Sequence, residues 1–403
     1  MHFESPSPAA IPSITLALFC KVVDNFGDIG ICWRLARQLQ HEHGVAVSLW
    51  VDHMPSFQRL CPQLDVGAEL QQLEGVCVRH WQDQEGVFSA QDVADIVIEF
   101  FACDIPPGYI EAMARRSVRP VWLNLEGLSA EPWVEGCHRL PSTHPRLPLL
   151  KHFFFPGFNE RTGGLLCEAA LAAQRRQFQG EPGAAAAFLA RLGVAGAHLQ
   201  DDKVSLFCYP HAPLAALFEA WQALPRPLLC LVPEGVASAQ VQHFLGAPAT
   251  AGAVATRAAL TVQVLPFLPQ SDYDKLLWSC DFNFVRGEDS FVRAQWAGAP
   301  FVWHIYPQDE NLHHVKLRAF LQHYAPDLPA LRTFSLHWNV ALATAPDWTQ
   351  LWAALQAEQG AQLVRARAWE QQMRGHGDLA SNLMRFAASL RLAAAEKQGI
   401  MPG

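Results

Sequence analysis

Two short stretches hold the residues of this chain best suited to chemistry. In "KVVDNFGDIGICWRLARQL", residues 21–39, Asp24 and Asp28 stand four apart among Gly27 and Gly30, where an apolar run gives way to a helical pattern. Carboxylates at such a place close turns and cap helices by default. Two of them so close can also serve a charged guest. The second stretch is "DFNFVRGEDSFVRAQWAGAPFVWHIYPQDENLHH", residues 281–314. Its "RGEDS" turn precedes a short helix that ends at Gly298, and Asp289 or Ser290 can cap that helix. Free N–H groups at a helix N-terminus favour a diphosphate, and Arg286 can meet the anion with a bidentate fork. Glu288 and Asp289 would repel it. At least one of them is therefore expected to face elsewhere, towards a sugar or an acceptor.

The elements that must position these residues follow from patterning. Continuous apolar runs predict strands at 14–19, 45–51, 76–81, 94–100 and 121–126, and again at 204–209, 228–234, 261–267, 282–285 and 301–305. Such runs suit strands buried on both faces, as in parallel sheets covered by helices. Ligands of these sheets gather at the carboxyl ends of the strands. Over 29–39, Ile29, Trp33, Ala36 and Leu39 form one helical stripe, with Arg34, Arg37 and Gln38 on the other side. The 403 residues exceed one ordinary core. They divide into an N-terminal Rossmann-like unit, 1–178, and a second such unit, 179–375. The Ala- and Gln-rich stretch 170–203, with "QGEPG", reads as the connection and hinge, and the helical tail 376–403 as a return to the first unit. "KHFFFPGF" predicts a further buried strand through Phe153–Phe155, then a turn towards the cleft.

The second stretch resembles the nucleotide-sugar site of GT-B glycosyltransferases, in which two facing Rossmann-like domains enclose a cleft. Gly287, Gly298, Pro300 and the run Gln308–Asp309–Glu310–Asn311 match that pattern in order. Taken together, the two stretches resemble the bacterial elongation factor P arginine rhamnosyltransferases, the EarP family, over nearly the whole chain. The resemblance implies transfer of L-rhamnose from dTDP-β-L-rhamnose to one arginine of elongation factor P, with inversion. It implies Asp24 and Asp28 as acceptor-side carboxylates. It assigns the sugar diphosphate to Arg286, Glu288, Asp289 and Ser290, and the thymine and nucleotide to Phe267, Gln270 and Phe207 or Tyr209. On that basis Asp24 is expected as the base, Asp28 as orienter and Glu288 as the third carboxylate. A guanidinium is a poor nucleophile with a very high pKa, so carboxylates must grip it and take its proton.

The remaining features narrow the field. A net charge of −8 disfavours a nucleic-acid partner. No CxxC spacing exists among the ten cysteines, which sit mostly in apolar runs and read as buried thiols of a reducing compartment. No basic leader and no apolar run long enough to span a bilayer is seen, so a cytoplasmic monomer off the membrane is expected. Adjacent His313 and His314 point about 100° apart on a helix, and with no HExxH no metal or other cofactor is expected. Trp33, Trp278, Trp296 and Trp303 read mainly as core, with Trp296 the nearest to the site. Four rivals are a GT-B transferase acting on a lipid or small molecule, a nucleotide-sugar epimerase, a non-catalytic sensor, and an oxidoreductase. The last is disfavoured because no GxGxxG follows the first strand.

Overall fold

The computed structural model describes residues 14–24, 26–82, 86–340 and 345–397. The leader reading for 1–13, Asn25 of the first motif and the tail beyond 397 lie outside the described residues.

Among the described residues, fourteen strands form two sheets. The first contains β1 (Thr15–Cys20), β2 (Ala46–Val51), β3 (Leu70–Leu73), β4 (Val76–His80), β5 (Ile96–Phe100), β6 (Val121–Leu125), β7 (Pro141–Thr143) and β8 (Leu150–Phe154). Their order is β3-β4-β2-β1-β5-β6-β8-β7. The second contains β9 (Asp202–Leu206), β10 (Leu228–Pro233), β11 (Val254–Arg257), β12 (Leu260–Leu265), β13 (Phe282–Arg286) and β14 (Phe301–His304). Their order is β11-β12-β10-β9-β13-β14.

Inner strands are parallel and alternate between two cores. Leu16, Leu18 and Cys20 of β1 join one apolar cluster, while Ala17 and Phe19 join the other. In β10, Leu228, Cys230 and Val232 face one side, and Leu229 and Leu231 the opposite one. That two-faced burial explains the uninterrupted apolar runs. The sheets are not wholly parallel, however. β3, β7 and β11 are antiparallel edge strands. They are short and half exposed, so their sequences lack the buried-strand pattern.

Chain order reverses beside β1 in the first sheet, between β1 and β5, and beside β9 in the second, between β9 and β13. At such a reversal the following loops diverge and leave a crevice. The Asp24 loop follows β1, and the "RGEDS" turn follows β13.

The chain crosses from the first sheet to the second between Phe154 and Asp202, through helices Leu171–Gly180 and Ala184–Arg191. "QGEPG" occupies the junction of those helices, and residue 178 falls inside the first of them. The last helix, Leu379–Lys397, packs Leu379, Ala380, Leu383 and Ala387 into the core of the first lobe. All ten cysteines are free, and eight are buried.

Candidate active site

The first helix, Gly27–His43, begins before Asp28, so Asp28 lies in its first turn. One oxygen, Oδ2, accepts N–H bonds from Val23 (2.7 Å) and Asp24 (2.8 Å). The Gly27 N–H closes the same turn on the Asp24 carbonyl at 2.6 Å. Asp28 thus shapes the loop by satisfying two of its backbone donors. The Asp24 side chain remains free to cross the crevice, where its Oδ2 accepts from the Tyr209 hydroxyl at 3.1 Å.

The opposite wall is the turn after β13. Gly287 has φ +60°, a left-handed conformation that glycine adopts without strain. Trp303 Nε1 donates to its carbonyl at 2.6 Å and fixes the turn from below. Glu288 therefore stands at the N-terminus of helix Asp289–Ala297, facing the first lobe. Its Oε1 accepts from the Leu128 N–H at 2.9 Å. The contacts are reciprocal: Asp24 is held by the second lobe and Glu288 by the first.

Asp24, Gly27, Gly287 and Glu288 form the boundary between two cavities. One, about 80 Å³, is walled by Phe207, Phe267, Tyr273, Arg286 and Ser290. The other, about 590 Å³, is lined by Asp28, Glu126, Glu131 and Lys316 among others. Both catalytic candidates, from opposite lobes, thus line both cavities.

Electrostatics fit a cationic guest. Burial raises the Asp24 carboxyl above its ordinary value, against the opposing pull of Tyr209 and Arg286. Burial likewise raises Asp28, although two backbone N–H bonds counter it. Glu288 is raised by burial, with Lys316 pulling the other way. Three carboxylates that pay for desolvation gain more than usual from a cation placed among them.

The residues expected on the donor side occupy distinct places. The Arg286 guanidinium lies over the rings of Phe207 (4.4 Å) and Tyr209 (4.9 Å) and donates to the Cys208 carbonyl at 3.0 Å. Phe267 packs on Phe26 at 5.3 Å and beneath Arg59 at 5.2 Å. Gln270 spends both ends between lobes: Nε2 donates to the Gly30 carbonyl, and Oε1 accepts from Arg37, each at 2.9 Å.

Two capping expectations are corrected. Neither Asp289 nor Ser290 caps the helix with its side chain. Ser290 Oγ folds back on the Arg286 backbone, accepting its N–H at 3.0 Å and donating to its carbonyl. Asp289 accepts instead from Arg34 Nε at 3.0 Å. The polar side of the first helix is also not a solvated face, because Arg34 is only 3 % exposed and Gln38 is 2 % exposed. That helix lies between the lobes, so both of its sides are covered.

Arg34 belongs to an ion network that sequence reasoning missed. It approaches Glu168 and Asp274 at 3.4 Å each, while Arg293 holds Asp274 at 2.8 and 2.7 Å and Glu168 at 2.6 Å. Burial alone would raise the Glu168 carboxyl, but Arg293 and Arg34 outweigh it and lower it to about 2. The available signal was a pair of arginines on an amphipathic helix whose partners lie far along the chain. His304 was equally unannounced in its role. Its Nδ1 accepts the Tyr209 N–H at 3.2 Å, and its Nε2 meets His211 Nε2 at 3.0 Å. Burial, reinforced by His211 and Arg286, holds it well below its ordinary pKa. Trp296 is core, its Nε1 donating to the Leu166 carbonyl at 2.8 Å. Among the described residues no group of three His, Cys, Asp or Glu is arranged to hold a metal ion. Among them, too, no helix is long and apolar enough to cross a membrane.

Comparison with known proteins agrees with this geometry. The model of the elongation factor P (EF-P) rhamnosyltransferase family EarP matches residues 16–388. A protein-arginine rhamnosyltransferase of Pseudomonas putida KT2440 is 49 % identical over 381 residues, covering 92 % of this chain and 98 % of that protein. The Neisseria meningitidis H44/76 protein-arginine rhamnosyltransferase is 37 % identical over 396 residues, covering 94 % and 98 %. A solved structure described as the basis of EarP-mediated arginine glycosylation of translation elongation factor EF-P superposes with TM-score 0.64 at 35 % identity. It covers 93 % of this chain and 99 % of its own. The spinosyn rhamnosyltransferase SpnG with thymidine diphosphate shares the fold at TM-score 0.50 and 12 % identity, covering 93 % and 99 %.

Proposed function

Since the chain belongs to the elongation factor P rhamnosyltransferase family EarP, and is thus a protein-arginine rhamnosyltransferase of GT-B fold, we propose that its acceptor is an arginine of elongation factor P and its donor dTDP-β-L-rhamnose. The observation that carries the reading is the meeting of Asp24 and Glu288, from opposite lobes, between an aromatic, Arg286-bearing cavity and an acidic one.

In this reading the nucleotide and diphosphate enter the aromatic side. Phe267 and Phe207 line that side, Tyr209 lies beneath Arg286, and Gln270 becomes available to the nucleotide once its bonds to Gly30 and Arg37 break. Arg286, the Ser290 region and the helix N-terminus receive the diphosphate, while Asp289 turns to Arg34. The acceptor guanidinium enters from the acidic side, and Asp24, Asp28 and Glu288 hold its planar fork.

One guanidinium nitrogen then attacks the anomeric carbon from the face opposite the diphosphate. The C–N bond forms as the C–O bond to the leaving dTDP breaks, which inverts the centre. Asp24 takes the proton released from nitrogen and passes it to solvent. Negative charge on dTDP is stabilised by Arg286 and backbone donors rather than a metal, so a chelator leaves the rate unchanged. One chain supplies every named group, and the reaction belongs to the cytoplasm, where a translation factor resides.

The test is incubation with elongation factor P and dTDP-β-L-rhamnose, read by intact mass. One added deoxyhexose is expected. Asp24→Asn should lose transfer by about 10²–10⁴-fold, the usual range for a proton acceptor, and Glu288→Gln should lose it through a weaker grip on the guanidinium, both at unchanged donor affinity. Near-normal turnover in both variants removes the assignment.

A further inference from the structure

The acidic cavity opens through an unusual mouth. Large apolar side chains stand exposed around it on both lobes: Val23, Phe101 and Trp133 on the first, Tyr306 and Leu312 on the second. Trp133 is 53 % exposed and Leu312 57 %. Trp133 rests edge-on against Phe155 at 5.5 Å, and Tyr306 against Tyr209 at 5.7 Å. Exposed apolar side chains scattered singly need no explanation, but a cluster around one opening does.

The backbone beneath this mouth is strained on both sides. Phe101, Ala102 and Asp104 have φ of +54°, +50° and +50°. Across the opening, Glu310 and Asn311, just before Leu312, have φ of +55° and +58°. Left-handed backbone is costly for Phe101, Ala102 and Glu310, less so for Asp104 and Asn311, and persists where surrounding contacts impose it. On the first lobe those contacts are the Ala102 N–H to Asn124 Oδ1, at 2.9 Å, and the Phe101 N–H to the Leu125 carbonyl, at 2.9 Å. On the second, the Gln308 N–H donates to His313 Nδ1 at 3.1 Å. Both lobes therefore hold exposed apolar groups against a conformational cost.

The interior selects the occupant. Asp24, Asp28, Glu126, Glu131 and Glu288 line it against a single ammonium, Lys316. Such a cavity repels an anionic membrane surface and attracts a cation on a projecting stem. We propose that these five apolar residues form a two-lobed docking ring for a protein loop, whose tip delivers a guanidinium and whose shoulders are apolar. The proposal deepens the acceptor reading above and rests on it. Its consequence is that recognition is divided: carboxylates read the side chain, and the ring reads the loop that carries it. Because the ring spans both lobes, acceptor docking also favours the closed arrangement of the crevice.

The test compares Trp133→Ala and Leu312→Ser, one from each lobe, with elongation factor P as acceptor and donor saturating. Each is expected to raise the acceptor KM tenfold or more, with donor Kd by calorimetry and kcat within twofold of the parent. Exposed aromatic anchors dominate interfaces in this way. An unchanged KM in either variant overturns the two-lobed ring. Hydrogen exchange on the unaltered protein gives an independent reading. Adding elongation factor P should protect residues 101–104 and 309–315 together, and protection of neither or only one overturns the proposal. If the unaltered protein transfers nothing to elongation factor P, the acceptor reading fails first, and the two failures are distinct.

Discussion

At the residue scale, the site is governed by burial acting on carboxylates. Asp24 and Glu288 lie above their ordinary pKa because their surroundings disfavour charge. In the proposed mechanism they work ionised. Activity should therefore fall as pH drops through a range above about 4, the ordinary carboxylate value, as kcat/KM across pH will record. Tyr209 donates to Asp24 and favours its charged form. Tyr209→Phe removes that donor, so the acid limb should move to higher pH. A limb that stays put or moves down would mean that Asp24 does not set it. The same burial carries a stability cost at neutral pH. A group with a raised folded pKa destabilises the fold when ionised, so Asp24→Asn should lose activity yet melt higher than the parent.

At the element scale, each proposed catalytic side chain depends on the turn that ends a strand. The Gly287 turn is the tightest case. A Cβ added there would lie 3.1 Å from Asp24 Oδ2 and 3.2 Å from the Tyr209 hydroxyl, on backbone of φ +60°. Gly287→Ala thus combines about 1–2 kcal/mol of left-handed strain with displacement of the Asp24–Tyr209 pair. The expected outcome is a kcat loss of about 10²-fold, because small misplacements of reacting groups are costly, with a smaller effect on donor affinity. Steady-state kinetics separate the two. The first helix is the second such element. It presents Asp28 at its start and Arg34 and Arg37 further along, so one helix shapes the Asp24 loop and also grips the opposite lobe.

At the scale of the whole molecule, the lobes are joined by a buried network of Arg34, Arg293, Glu168, Asp274 and Asp289. Removing one member of a buried ion network leaves uncompensated charge, typically at a cost of about 3–5 kcal/mol. Arg34→Gln should accordingly lower Tm by roughly 5–10 °C. It should also loosen the closed arrangement, seen as a larger radius of gyration by small-angle scattering. An unchanged radius would show that other contacts hold the lobes. Glu168 has its pKa depressed to about 2. Its contribution is therefore fully present above the unfolded carboxylate value and is lost as pH falls through the folded one, which makes the lobe contact acid-sensitive. The aromatic cavity of about 80 Å³ is small beside the roughly 300–1,000 Å³ of ordinary ligand pockets. Phe26 and Arg59 of the first lobe cover Phe267 there. In the proposed reading, donor entry requires the lobes to part, with motion in the connection between Phe154 and Asp202.

The sequence by itself determined what local physics encodes. Apolar runs specify the inner strands, because burial on both faces leaves no polar position to write. Gly287 and Gly298 mark backbone that turns left-handed, and the spacing of Asp24, Asp28, Arg286 and Glu288 marks strand ends where ligands gather. Only tertiary structure decided what each polar group meets. Asp24 finds Tyr209 across 185 residues of chain, and Arg34 finds Asp289 across 255. Helical periodicity shows that Arg34 lies opposite an apolar stripe, but not that another lobe covers it. Likewise, a cap at Asp289 loses to a buried arginine 255 residues away, whereas Ser290 turns to the Arg286 carbonyl four residues earlier, a local alternative to capping. The physical reason is common to Arg34 and Asp289: a residue's neighbours in sequence set its conformation, while the energy of its charge depends on groups that arrive only when the lobes close.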